Sequence, residues 1–128
     1  MSVIRFQQTT PSSHDPAIQA RRMVNRSMGA KSVSSGISIF SPGAEIFLHT
    51  HPCEEVIVIL DGEAACELNG EKFTVGKHDM VMVPTRVPHR FWNESDLPFT
   101  MLYFYPSVEV TRDPVDPKDQ QGEQSPHY

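Results

Sequence analysis

The stretch GAEIFLHTHPCEEVIVILDG, residues 43–62, decides how this chain is read, because it joins a cluster of metal-ligating side chains to an apolar strand. Successive residues of a β-strand point to opposite faces, so His49 and His51 project together with Thr50 turned away between them. Glu55 follows His51 by four residues. Two imidazoles and a carboxylate can hold a divalent transition metal, and a stable site normally adds a fourth protein ligand or a water. His89 is the residue elsewhere in the chain that can supply that fourth ligand.

The run from Glu55 to Leu60 is apolar on both faces after its first residue, the pattern of a strand covered on both sides. If Glu55, Ile57 and Ile59 face inward with the histidines, then Val56, Val58 and Leu60 must be covered from outside. A homodimer, in which this outer face packs on a second subunit, is the expected arrangement. The alternative is that the N-terminal arm of the same chain lies over it.

Working outward, short apolar runs alternate with turn signals: Gly36–Phe40, Glu45–His49, Glu55–Leu60, Ala64–Leu68, Lys72–Val75, Met80–Val83, His89–Trp92 and Phe99–Tyr105. Corners fall at Ser41-Pro42-Gly43, at Asp61-Gly62, at Asn69-Gly70 and between Asn93 and Pro98, and Asn69-Gly70 predicts a tight hairpin. No run of ten or more residues has helical periodicity. The pattern predicts an all-β fold, an antiparallel β-sandwich or jelly-roll barrel. Residues 1–30 read as an N-terminal arm, with one strand or turn over Ala20–Val24. Residues 31–110 read as the barrel and 111–128 as a C-terminal tail or strap.

A chain of 128 residues is long enough for one domain with a real core and no disulfide staples. The net charge of -5 and the lack of a clustered Lys/Arg run argue against nucleic acid or an anionic membrane as partner. Met1–Thr10 has no apolar segment of the signal-peptide kind, and no stretch reaches membrane-spanning length. Cys53 and Cys66 do not make a disulfide framework. A cytoplasmic protein acting on a small-molecule substrate is the expectation.

The spacing Gly43, five residues, His49, one residue, His51, three residues, Glu55, six residues, Gly62 resembles the first signature motif of the cupin superfamily at every defined position. Pro84, His89 and Asn93 resemble the second motif. There His78 and Arg86 stand where that pattern has glycine. The first change is expected to adjust a turn; the second puts a long cation in the loop leading to His89. The two motifs cover Gly43 to Asn93, about two-fifths of the chain.

The resemblance implies a cupin barrel in which His49, His51, Glu55 and His89 ligate one divalent metal, with one or two coordination positions open. Three imidazoles and a carboxylate suit Mn, Fe, Co, Ni, Cu or Zn, with Fe or Mn favoured. His14, His78 and His127 read as hydrogen-bonded or solvated residues. Cys53 reads as a small apolar residue turned away from its ligand neighbours.

A barrel of roughly eight strands holds side chains and one small ligand. Phe47, Ile57, Ile59, Phe91 and Met101 are the expected cavity lining, with Tyr103 and Tyr105 on the face of Met101 and Glu45 near the rim. A one-residue register error would reverse these faces. Arg86 and Arg90 are candidate anchors for a carboxylate or carbonyl oxygen, although Arg90 should face away from His89. Arg86, Tyr103 and Glu45 are the candidate catalytic residues. The leading functional expectation is a metal-dependent, dioxygenase-like oxidoreductase acting on a small organic substrate. The alternatives are a lyase, decarboxylase, isomerase or cyclase using the metal as Lewis acid, or a small-ligand-binding module. No helix-turn-helix pattern occurs in the arm.

Overall fold

The computed structural model describes residues 2–120, so His127 and Tyr128 lie outside it. Ten strands follow in order: β1 (Ile18–Val24), β2 (Ser34–Phe40), β3 (His49–Thr50), β4 (Glu55–Asp61), β5 (Glu63–Leu68), β6 (Glu71–Gly76), β7 (Met80–Val83), β8 (His89–Trp92), β9 (Phe99–Tyr105) and β10 (Asp113–Pro114). They form two five-stranded antiparallel sheets, β1-β2-β9-β4-β7 and β10-β3-β8-β5-β6, packed as a β-sandwich.

Alternation fixes which side chains meet between the sheets. Along β2 the buried positions are Ser34, Gly36, Ser38 and Phe40; along β9 they are Phe99, Met101, Tyr103 and Tyr105. At one end of these paired strands Phe40 stacks on Phe99 with ring centroids 4.6 Å apart, above the fully buried Ile57 and Ile59. At the other end lie Tyr105 and, on the next strand, Glu55. Gly62 links β4 of the first sheet to β5 of the second; its φ is +80° and an added Cβ would sit 2.5 Å from the Pro98 carbonyl oxygen. Asn69 and Gly70 both take positive φ between the paired residues Leu68 and Glu71, the two-residue hairpin turn the sequence predicts.

Two segments differ from the sequence expectation. The run Glu45–His49 is not a regular strand: Glu45 pairs with Trp92 and His49 with His89, so four steps on one side match three on the other. The extra residue is a β-bulge, which breaks alternation, and Glu45, Ile46, Phe47 and His49 all line one cavity. In the N-terminal region a full strand, Ile18–Val24, completes the first sheet by pairing with β2. Thr111 to Pro114 lies along β3 as a strap, with Val115 N–H donating to the Leu48 carbonyl.

The outer face of β4 is apolar across three strands. Val56 lies between Met82 and Phe104, and Val58 between Met80 and Leu102. Met80 is 70% exposed and Met82 54%. The N-terminal arm is anchored at the opposite edge of this sheet, where Pro11 bridges Arg21 and the Arg21 guanidinium lies over the Phe6 ring. Among the described residues no helix is long and apolar enough to cross a membrane.

Candidate metal centre

His49 comes from β3, His51 from the turn after it, Glu55 from the start of β4 and His89 from the start of β8. All four are buried, and one ring nitrogen from each histidine lies within 4.8 Å of those of the other two. The Nδ1 atoms are held by backbone carbonyls: His49 to Phe47 at 2.7 Å, His51 to Thr111 at 2.8 Å, His89 to Val87 at 2.9 Å. A carbonyl oxygen only accepts, so each Nδ1 carries a proton and Nε2 is the nitrogen of each ring left to face a ligand. Glu55 Oε1 stands 2.9 Å from His89 Nε2 and 3.4 Å from His51 Nε2. Three imidazole nitrogens beside a carboxylate, all buried, make a donor set of the kind that binds a divalent cation. The three-histidine cluster could hold a metal ion.

The electrostatics agree with that role. Burial holds His49 well below the ordinary imidazole range, helped by the positive charge of Arg112, so it stays neutral. Burial would push Glu55 up, but its contacts with His51 and His89 outweigh this and hold it ionised far below the usual carboxylate range. Burial pushes Tyr103 up to about 12 and Tyr105 well above its usual value, so both remain phenols. The Tyr105 hydroxyl lies 3.3 Å from His51 Nε2. Burial likewise raises the Cys53 thiol, which stays protonated and off the cavity wall.

A cavity of about 250 Å³ opens above the cluster. Of the expected lining residues, Phe47, Phe91 and Met101 border it, whereas Ile57 and Ile59 are packed in the core beneath and do not. Tyr103 and Glu45 border it, Glu45 at the exposed rim. Arg86 does not: its guanidinium points outward to Asp113 in an ion pair that ties the loop before β8 to β10. Arg90 pairs with Glu67 across β5 and β8 at 3.0 Å and lies over Trp92. His14 and His78 are exposed and away from the cluster.

At the two positions where the motif has glycine, the backbone keeps the conformation glycine favours. His78 has φ +73° and Arg86 φ +65°. The first change therefore retains the turn rather than adjusting it, at a cost of about 1 kcal/mol or more for each side chain. Asn93, the last motif position, is a structural clasp. Its amide donates to the Phe40 and Leu97 carbonyls, and its carbonyl oxygen accepts from the Ser95 backbone.

Sequence reasoning missed Arg22 and Arg112, both on the cavity wall. Arg22 shares the inward side of β1 with Ile18 and Ala20, an alternation visible in the sequence once the strand is placed. Arg112 sits in a polar, proline-flanked segment without a local signal.

The pattern of the cupin domain family matches residues 36–105, more than half of the chain. The chain belongs to the cupin domain family. Polyketide synthase CurC of Streptomyces cyaneus is 34% identical over 77 residues, which are 59% of this chain and 50% of that protein. The chain thus spans about half the length of this curated relative. In shape it is similar to the polyketide cyclase RemF of Streptomyces resistomycificus, with a TM-score of 0.78, 20% identity and coverage of 91% of this chain and 86% of that one. It is also similar to salicylate 1,2-dioxygenase of Pseudoaminobacter salicylatoxidans, with a TM-score of 0.66, 25% identity and coverage of 75% and 26%.

Proposed function

We propose that this cupin is a metal-dependent enzyme whose single ion, Mn or Fe, is held by His49, His51, His89 and Glu55 and acts as a Lewis acid on an oxygen-bearing small molecule in the cavity. The observation that carries this reading is the fixed direction of the three imidazoles, each proton tied to a backbone carbonyl and each Nε2 left for the ion. Bound there, a divalent ion polarises a carbonyl or enol oxygen. The chain's own residues do the rest. Phe47, Phe91 and Met101 confine the substrate, and the buried phenols of Tyr103 and Tyr105 offer hydroxyl protons to developing negative charge. A non-redox conversion, of the cyclase or lyase kind, uses all of these groups. The sequence likeness to a polyketide synthase component supports an oxygen-rich substrate.

The dioxygenase reading is the second one, favoured by the apolar walls and by the likeness to salicylate 1,2-dioxygenase. Oxygen-electrode and anaerobic turnover assays on a panel of diketones, phenols and hydroxy acids separate the two. Turnover that continues without oxygen supports the Lewis-acid reading; turnover that consumes oxygen and stops without it replaces that reading with the oxygenase.

We further propose that the chain is a homodimer joined through the outer face of β4, β7 and β9. Val56, Val58, Met80 and Met82 form an apolar patch that an identical sheet face can cover. Sedimentation velocity at micromolar concentration is expected to show a dimer that Met80→Glu with Met82→Glu converts to monomer. A monomer in the unaltered protein contradicts the proposal.

A further inference from the structure

The mouth of the cavity carries two cations from parts of the chain outside the matched family region. Arg22 comes from β1, at the edge of the first sheet, and Arg112 from the strap beside β10, at the edge of the second. Both border the cavity that ends on His49, Glu55 and His89. The Arg22 Nε is buried and finds no hydrogen-bond partner among the described residues. A buried guanidinium donor left without an acceptor is costly, and a ligand oxygen would relieve it. The Arg112 guanidinium lies over the Phe47 ring, 5.7 Å from its centre, a placement that holds the plane of the fork against the wall.

The same wall carries Tyr103, Tyr105 and His49, so both arginines border the space that reaches the histidine cluster. The two carboxylates on the same wall, Asp15 and Glu45, are exposed at the rim, and Asp15 is engaged in accepting the Ala17 N–H at 2.8 Å. Among the described residues that line the cavity, Glu55 is the one buried carboxylate, set against two guanidinium groups and the ion the histidines would hold. Such a space attracts an organic anion, and planar guanidinium forks match a carboxylate.

Resting on the metal-enzyme reading above, we propose that Arg22 and Arg112 clamp the carboxylate of the substrate at the mouth, so that the reacting oxygen of a small carboxylic acid faces the histidine cluster. A cavity of about 250 Å³ limits that acid to a small one, of the size of a single substituted ring. The arginines are binding and specificity residues, and neither is needed to hold the ion.

Calorimetric titration with salicylate and with its amide, salicylamide, tests this at pH 7, where the acid is a carboxylate and the amide is neutral, in metal-free and Mn(II)-loaded protein. Metal content is measured separately by mass spectrometry. Salicylate is expected to bind at least tenfold more tightly than salicylamide in both forms. Arg22→Gln and Arg112→Gln should each remove most of that preference with metal content and thermal unfolding unchanged. If either glutamine variant fails to fold, Arg22→Lys and Arg112→Lys keep the charge and are expected to keep part of the preference. Equal binding of acid and amide, or a preference that survives in the double variant, overturns the clamp. Failure to take up Mn(II) overturns the metal reading instead, and the preference of the metal-free protein still reports on the arginines.

Discussion

The floor of the cavity is assembled from β3, β4 and β8, its mouth from β1 and the strap after β9. On the floor all four ligands are buried, the three histidines aimed by backbone carbonyls and Glu55 held by two of the histidines, and short stretches of chain suffice to bring them together. At the mouth the side chains are long and half-buried, and their meeting depends on segments far apart in the chain. The difference teaches that the floor sets which chemistry is available and the mouth selects what receives it. Substitutions in one region should leave the other's property intact.

The largest expected effect is on the floor. His89→Ala removes one imidazole and a contact of Glu55, and metal affinity should fall on the order of 100-fold or more, measured by competition with a chromophoric chelator. Retention of full affinity would merge floor and mouth into one undifferentiated pocket. Next comes Gly36→Ala, directly below the mouth. The new Cβ would stand 2.1 Å from the Tyr103 hydroxyl and 2.6 Å from the Arg21 carbonyl oxygen. Overpacking of this kind costs about 2 kcal/mol, read by urea unfolding, and metal content should not change. Loss of the metal in this variant would show that Tyr103 supports the floor.

Acid gives an intermediate effect whose sign follows from the shifts. The folded pKa of His49 lies below its unfolded value of about 6.5, so below that pH the unfolded chain binds a proton that the folded chain does not. Stability of the metal-free protein therefore falls as pH drops through about 6.5 toward the folded value. Glu55, also depressed, adds a further loss below about 4.3. Urea midpoints at pH 7 and pH 5 should drop less for His49→Gln than for the unaltered chain; an equal drop contradicts the assignment to His49. The smallest effect is expected at His78→Gly, which relieves a positive φ outside both regions and should stabilise by up to about 1 kcal/mol without altering metal or ligand binding.

The floor was legible in the sequence because period-two alternation and fixed spacing are local: His49, His51, Glu55 and His89 fall where the motif puts them, and Asn69-Gly70 turns as its residues require. The mouth was not. Glu45 and Phe47 do border the cavity, but Ile46 joins them there because the bulge between Glu45 and His49 cancels the alternation, and no composition signal marks a single inserted residue. Arg86, three residues before His89, turns outward to Asp113, while Arg112, one residue before Asp113, turns inward. That exchange is decided by a strap pairing that nearby sequence does not encode.

The central claim is that the three inward Nε2 atoms and Glu55 hold one divalent ion. Titration of metal-free protein with Mn(II), followed by electron paramagnetic resonance and elemental analysis at pH 7.5, tests it most directly. Uptake is expected to saturate at one ion per chain in the unaltered protein and to be absent in the variant with His49, His51 and His89 all replaced by Ala. No uptake by the unaltered protein, or equal uptake by that variant, would contradict it.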